Sequence, residues 1–178
     1  MEEYSFLNRA TFSKILEEFT KKNNSKSKEK LFINNNLYDE IKSALLGDSS
    51  LRNPSFRLWS RENFTLLNSG DNIIVCRILN KKSKQALAKD GIFVDSLPVL
   101  TLENMYDVIC KEHARSLHSG QKELFNRLKR KWAGVKRKLI EEFVNNCEIC
   151  VPRRNSSKST LAAKPIVTRK FLSRLQVI

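Results

Sequence analysis

Both histidines of the chain, His113 and His118, stand ahead of its single Cys-x-x-Cys, Cys147 to Cys150, in the order His-x4-His-x28-Cys-x2-Cys. Neutral imidazole nitrogen and thiolate sulfur are donors that Zn2+ binds well, and two from each of two short segments complete a tetrahedron with no position left for substrate. The spacing therefore predicts a structural Zn2+ site held by His113, His118, Cys147 and Cys150. On their own, two histidines on an amphipathic segment would be core or surface residues; the cysteine pair that follows makes them ligands. A redox role fits the cysteine pair poorly. Thioredoxin-type pairs open a helix after a strand, whereas this one ends a helical pattern and precedes Val151-Pro152. Cys76 and Cys110 match no metal spacing and are expected as buried thiols. Cys110, three residues before His113 on the same helix face, is the alternative ligand.

Such ligands need elements to hold them. Leu102, Met105, Tyr106, Ile109 and Cys110 recur at helical spacing after Thr101, a good N-cap type, so a helix carries His113 and breaks at Ser119-Gly120, leaving His118 in the turn. Leu124, Leu128 and Trp132 mark a second helix, stopped by Gly134, and Val135, Leu139, Ile140, Phe143 and Val144 a third that ends at Cys147 and Cys150. The ligands would staple this helical hairpin, a unit whose own core is small enough for metal binding to decide its stability.

Upstream, Phe6 to Phe19 place apolar residues at helical spacing over 4–21, followed by the polar connector KKNNSKSKEK; a helix is expected over 37–46 with Gly47 as its stop, and a turn with a short helix over 51–59. From Phe64 the period changes. FTLLN, NIIVCRIL, GIFVD and PVLTL, separated by turn signals, predict strands of a small antiparallel sheet, with KKSKQALAKD as a solvated loop or hairpin tip.

The 178 residues carry a net charge of +14. Residues 1–100 hold 16 Lys/Arg against 12 Asp/Glu, whereas 101–178 hold 17 against 7, and seven basic residues with no acidic one follow Cys150. That excess favours a polyanionic partner, DNA above all. No membrane span is visible, and an acidic N-terminus without an apolar stretch argues against a secretory signal, so the thiols are expected in a reducing, intracellular or nuclear setting.

Residues 101–150 resemble the zinc-binding domain of gypsy-type retroelement integrases and of integrase-derived transposases domesticated in animal genomes. The marks are His113, His118, Gly120, Trp132, Gly134 and the ending FVNNCEIC. The likeness runs more weakly back into the strands and forward to FLSRLQV, which in relatives leads into a catalytic core of three acidic residues holding two Mg2+ ions. No such core lies within these residues, so the resemblance implies a module that does not itself cut or join DNA.

The expectation is an α+β chain: a helical region over 1–60, a β extension over 61–100, the zinc domain over 101–152, and a basic linker over 153–178. It would bind DNA with little sequence preference through Lys129, Arg130, Lys131, Lys136, Arg137, Lys138, Arg153 and Arg154, with self-assembly as a further role. Two alternatives stand beside it, a protein-interaction module without DNA binding and a fragment of an active integrase.

Overall fold

The computed structural model describes residues 7–22, 32–48, 53–70 and 72–156. Its elements are, in order, helices α1 (Arg9–Lys22), α2 (Asn35–Leu46) and α3 (Pro54–Asn63), strands β1 (Phe64–Ser69) and β2 (Asn72–Ile78), helix α4 (Lys81–Ala88), strand β3 (Ser96–Pro98), and helices α5 (Leu102–Arg115), α6 (Gln121–Lys131), α7 (Arg137–Asn145) and α8 (Cys150–Ser156). The fold is α+β.

Asparagines start three of these helices. Asn34, Asn53 and Asn80 each adopt an extended backbone, and their side-chain oxygens accept from Leu37 N at 2.8 Å, Phe56 N at 3.0 Å and Ser83 N at 2.8 Å. Each bond satisfies an amide that the first helical turn leaves without a partner. Gly47 closes α2 in the left-handed region at φ 97°, as expected from sequence.

The sheet is antiparallel in the order β1-β2-β3. β1 and β2 form a hairpin from Phe64↔Arg77 to Ser69↔Asn72, and β3 pairs with the other edge of β2 through Cys76↔Pro98 to Ile78↔Ser96. The chain then leaves the sheet through two single bridges, Val99 to Ala133 and Ile33 to Thr101, so the α6–α7 turn and the segment before α2 are hydrogen-bonded to the strand that leads into α5.

Several local expectations are corrected here. KKSKQALAKD is not a loop: it contains α4, capped by Asn80 and anchored by buried Leu87, which packs with Leu97 and Ala133. GIFVD is not a strand: Gly91 (φ +76°) turns the chain out of α4, and Phe93 is 84% exposed. β3 starts after it and is only three residues long, taking Pro98 alone from PVLTL. The linker proposed from residue 153 begins inside α8. Lys158, Lys164, Arg169, Lys170, Arg174 and FLSRLQV lie outside the described residues, as do Phe6 and most of the polar connector.

Two clusters of buried side chains dominate. One joins Ile41 of α2 with Phe64 and Val75 of the sheet and with Val99 just beyond β3. The larger one lies among α5, α6 and α7 through Met105, Ile109, Leu124, Leu128, Ile140 and Phe143, and it also takes in Leu7, Phe12 and Phe32. α1 thus closes the core of the helical hairpin, with the Phe12 ring edge-on to Phe143 at 6.1 Å and Tyr106 donating its hydroxyl proton to Leu7 O. Burial is the main reason the Tyr106 hydroxyl is pushed up to about 12.

Because its apolar anchor is the single residue Leu87, α4 depends on its cap. Replacing Asn80 by Ala is expected to cost about 1 kcal/mol, read as faster amide hydrogen exchange over 81–88 with little change elsewhere.

Candidate metal centre

His113 lies in the last turn of α5 and is fully buried. The helix ends at Arg115, and the chain reverses through Leu117 and His118, both with left-handed φ (52° and 60°). This turn is held by His118 N donating to His113 O at 3.0 Å and by the Ser116 hydroxyl donating to the same oxygen at 2.9 Å. The result brings the second imidazole beside the first, ring centroids 4.5 Å apart and 75° between planes. Left-handed backbone is uncommon for any residue but glycine and less well tolerated by Leu than by His, so the pair is a strained joint at the site.

The cysteines arrive from the other side. Cys147 follows the end of α7, fully buried, and its carbonyl accepts from Cys150 N (3.1 Å) and Val151 N (3.0 Å), the first turn of α8. Cys150 therefore opens a short helix rather than closing α7. Arg154 of that helix donates to Val144 O (2.7 Å) and Asn145 Oδ1 (2.6 Å), satisfying acceptors at the end of α7.

One ligand atom from each of His113, His118, Cys147 and Cys150 lies within 4.8 Å of the others, a group that can hold a metal ion. Cys150 Sγ is 3.3 Å from His113 Nε2 and 3.9 Å from His118 Nδ1, and Cys147 Sγ is 3.6 Å from His118 Nδ1. The two histidines thus offer different ring nitrogens. Burial, with repulsion from His118 second, pushes the His113 imidazolium down to about 4, and burial, then Arg153, lowers His118 as well. Both are held in the neutral form that ligates. Burial first, then hydrogen bonding and repulsion from Cys147, pushes the Cys150 thiol up to about 11; a bound cation is what such a thiol needs to ionise.

Cys110 and Cys76 are both buried, and neither belongs to the group. The Cys110 thiol is pushed up to about 11, chiefly by burial. Thr101 occupies the N-cap position of α5, but its buried hydroxyl makes no cap hydrogen bond.

The basic residues singled out from sequence are not equivalent. Arg130 pairs with Asp90 (3.1 Å), Lys131 with buried Glu112 (2.8 Å) and Arg137 with Glu141 (3.1 Å), while Arg154 caps α7. Lys138 and Arg153 are exposed, and Lys129 Nζ lies 5.9 Å from the Phe125 ring centre. Lys129 and Lys136 line one groove together with Arg77 of β2, a residue the sequence reading passed over. No helix among the described residues is long and apolar enough to cross a membrane. Comparison with protein-family models, with curated proteins and with solved structures finds no match for this chain.

Proposed function

We propose that this chain is a non-catalytic, zinc-stapled module of an integrase- or transposase-derived protein that binds DNA through its basic helical surface. The observation that carries the reading is the convergence of four ligands from two segments onto one point. Around a tetrahedral Zn2+, bonds of about 2.0–2.1 Å to nitrogen and about 2.3 Å to sulfur put nitrogen–sulfur edges near 3.5 Å. The separations here, 3.3, 3.6 and 3.9 Å, bracket that value. Two nitrogens and two sulfurs suit Zn2+ far better than Mg2+ or Ca2+, which take oxygen, and four protein ligands leave no open position for catalysis.

The integrase likeness is supported by what its marker residues do. Gly120 is the N-cap of α6, Trp132 its C-cap, and Gly134 takes φ +97° at the turn into α7, where a side chain would be strained. DNA binding is supported by the charge excess. Lys129, Lys136 and Lys138 form no ion pair among the described residues, and Arg130 and Arg137 sit in partly exposed pairs of about 0–1 kcal/mol each, from which phosphate can recruit them, whereas Lys131 is engaged by buried Glu112.

Metal analysis of the purified chain is expected to give about one zinc per chain. Its affinity for mixed-sequence duplex DNA should fall linearly in log–log form with salt, with a slope of about −0.9 per phosphate met. A zinc-loaded chain that self-associates independently of salt and has no DNA affinity would overturn the DNA reading in favour of an assembly module.

A further inference from the structure

We infer that the groove between β2, α4 and the α6–α7 turn seats a phosphate of a nucleic-acid strand, held by Arg77, Lys129 and Lys136, with Trp132 beside it. This rests on the DNA-binding reading and gives it a place. The groove has a volume of about 430 Å³. Its three cations come from separate parts of the chain, the end of β2, the last turn of α6 and the N-cap of α7. No carboxylate lines it.

That absence sets the groove apart from the surface around it. Several cations elsewhere have carboxylate partners: Arg9 with Asp107, Lys84 with Asp95, Arg127 with Glu123, Arg130 with Asp90. In the groove, Arg77, Lys129 and Lys136 form no ion pair among the described residues, and Lys136 is half-buried. Burial first, and the charge of Arg77 second, lower the Lys136 pKa. A half-buried cation held against another without a carboxylate opposes folding, and an anion between them relieves it. α7 begins at the same edge with no acidic residue in its first turn and no side-chain cap, so its dipole adds to the positive field. Trp132 lines the same groove, an indole of the kind on which a base stacks next to its phosphate. A strand rather than a small phosphoester fits a groove set in a chain of net charge +14.

The test uses the zinc-loaded full chain. Binding of a mixed-sequence single-stranded oligonucleotide is followed across salt for the parent and for Arg77→Gln, Lys136→Gln, Arg77→Lys and, as a control on exposed α5, Lys111→Gln. Each groove variant to Gln is expected to flatten the salt slope by about 0.7 and weaken binding about fivefold near 0.1 M salt, whereas Arg77→Lys and Lys111→Gln leave the slope in place. Lys136→Gln should also raise the thermal midpoint, because the folded chain no longer holds that charge. In a parallel arm, inorganic phosphate should shift the indole N–H resonance of Trp132 and not that of Trp59, which packs against Phe56 and Phe64 in the other core.

Unchanged slopes in both Gln variants, with oligonucleotide binding intact, would overturn the groove and leave DNA binding standing. A parent chain that ignores the oligonucleotide while phosphate still moves Trp132 would overturn the nucleic-acid half and leave a site for free phosphate. No response in either arm would end both.

Discussion

Stripped of metal by a chelator, or carrying Cys147→Ser, the chain is expected to lose much of the helical circular dichroism of α5–α8, and its thermal midpoint should drop by about 20–40 °C. The magnitude follows from two general values: structural zinc sites contribute of order 10 kcal/mol to folding, and 1 kcal/mol moves the midpoint of a chain this size by about 2–4 °C. The mechanism is specific to this site. Without an ion, the fold must keep two imidazoles and two thiols packed against one another, three of the four groups buried, around a turn with two consecutive left-handed residues. Cys110→Ser separates this from a general cost of altering buried sulfur. That residue is buried one turn from His113 but outside the ligand group, so the variant should be less stable yet retain its zinc. A metal-free chain with unchanged dichroism and midpoint would refute the staple.

The second large effect is expected at Phe143. Its ring is fully buried in α7, edge-on to His113 at 5.6 Å on one side and to Phe12 at 6.1 Å on the other. Phe143→Ala removes contacts to His113 of the candidate metal group and to α1 at once, and should cost about 3–5 kcal/mol in denaturant unfolding. Phe143→Leu, which keeps most of the volume, should cost about 1.5 kcal/mol or less. With the proposed zinc binding coupled to folding of the hairpin, the Ala variant is expected to yield its metal to a competing chelator at lower concentration. A loss below about 1 kcal/mol would show that the ring is not the keystone of this core.

The metal group was legible because its ligands are of rare types in this chain and fall at separations a local hairpin can close. α2, α5, α6 and α7 were legible for a related reason: each carries an apolar stripe within its own span, and a glycine stop follows α2, α5 and α6. α4 escaped notice because it buries one large side chain, Leu87, and draws its start from Asn80, a cap that polar composition hides. GIFVD misled in the opposite sense. Its β-prone residues have strand propensity, but strand formation needs a partner edge, and the open edge of β2 is taken by Ser96–Pro98. Neither the docking of Phe12 on Phe143 nor the meeting of Arg77 with Lys136 has a local signature, since both pair residues far apart in the chain. Adjacent basic triplets drew attention to charge of which half, Arg130, Lys131 and Arg137, is already paired, while Arg77 stood alone in an apolar strand.

The position of α1 has a consequence for how this molecule can be divided. A piece cut at the boundaries suggested by the ligand spacing would begin after Leu7, Phe12 and Phe32, and so would leave the far wall of its own interior facing water. The shortest segment that keeps this interior dry therefore runs from before Leu7 to beyond Cys150. Shuffling or grafting that transplants the histidines and cysteines alone would carry the clasp away without the lid it fastens.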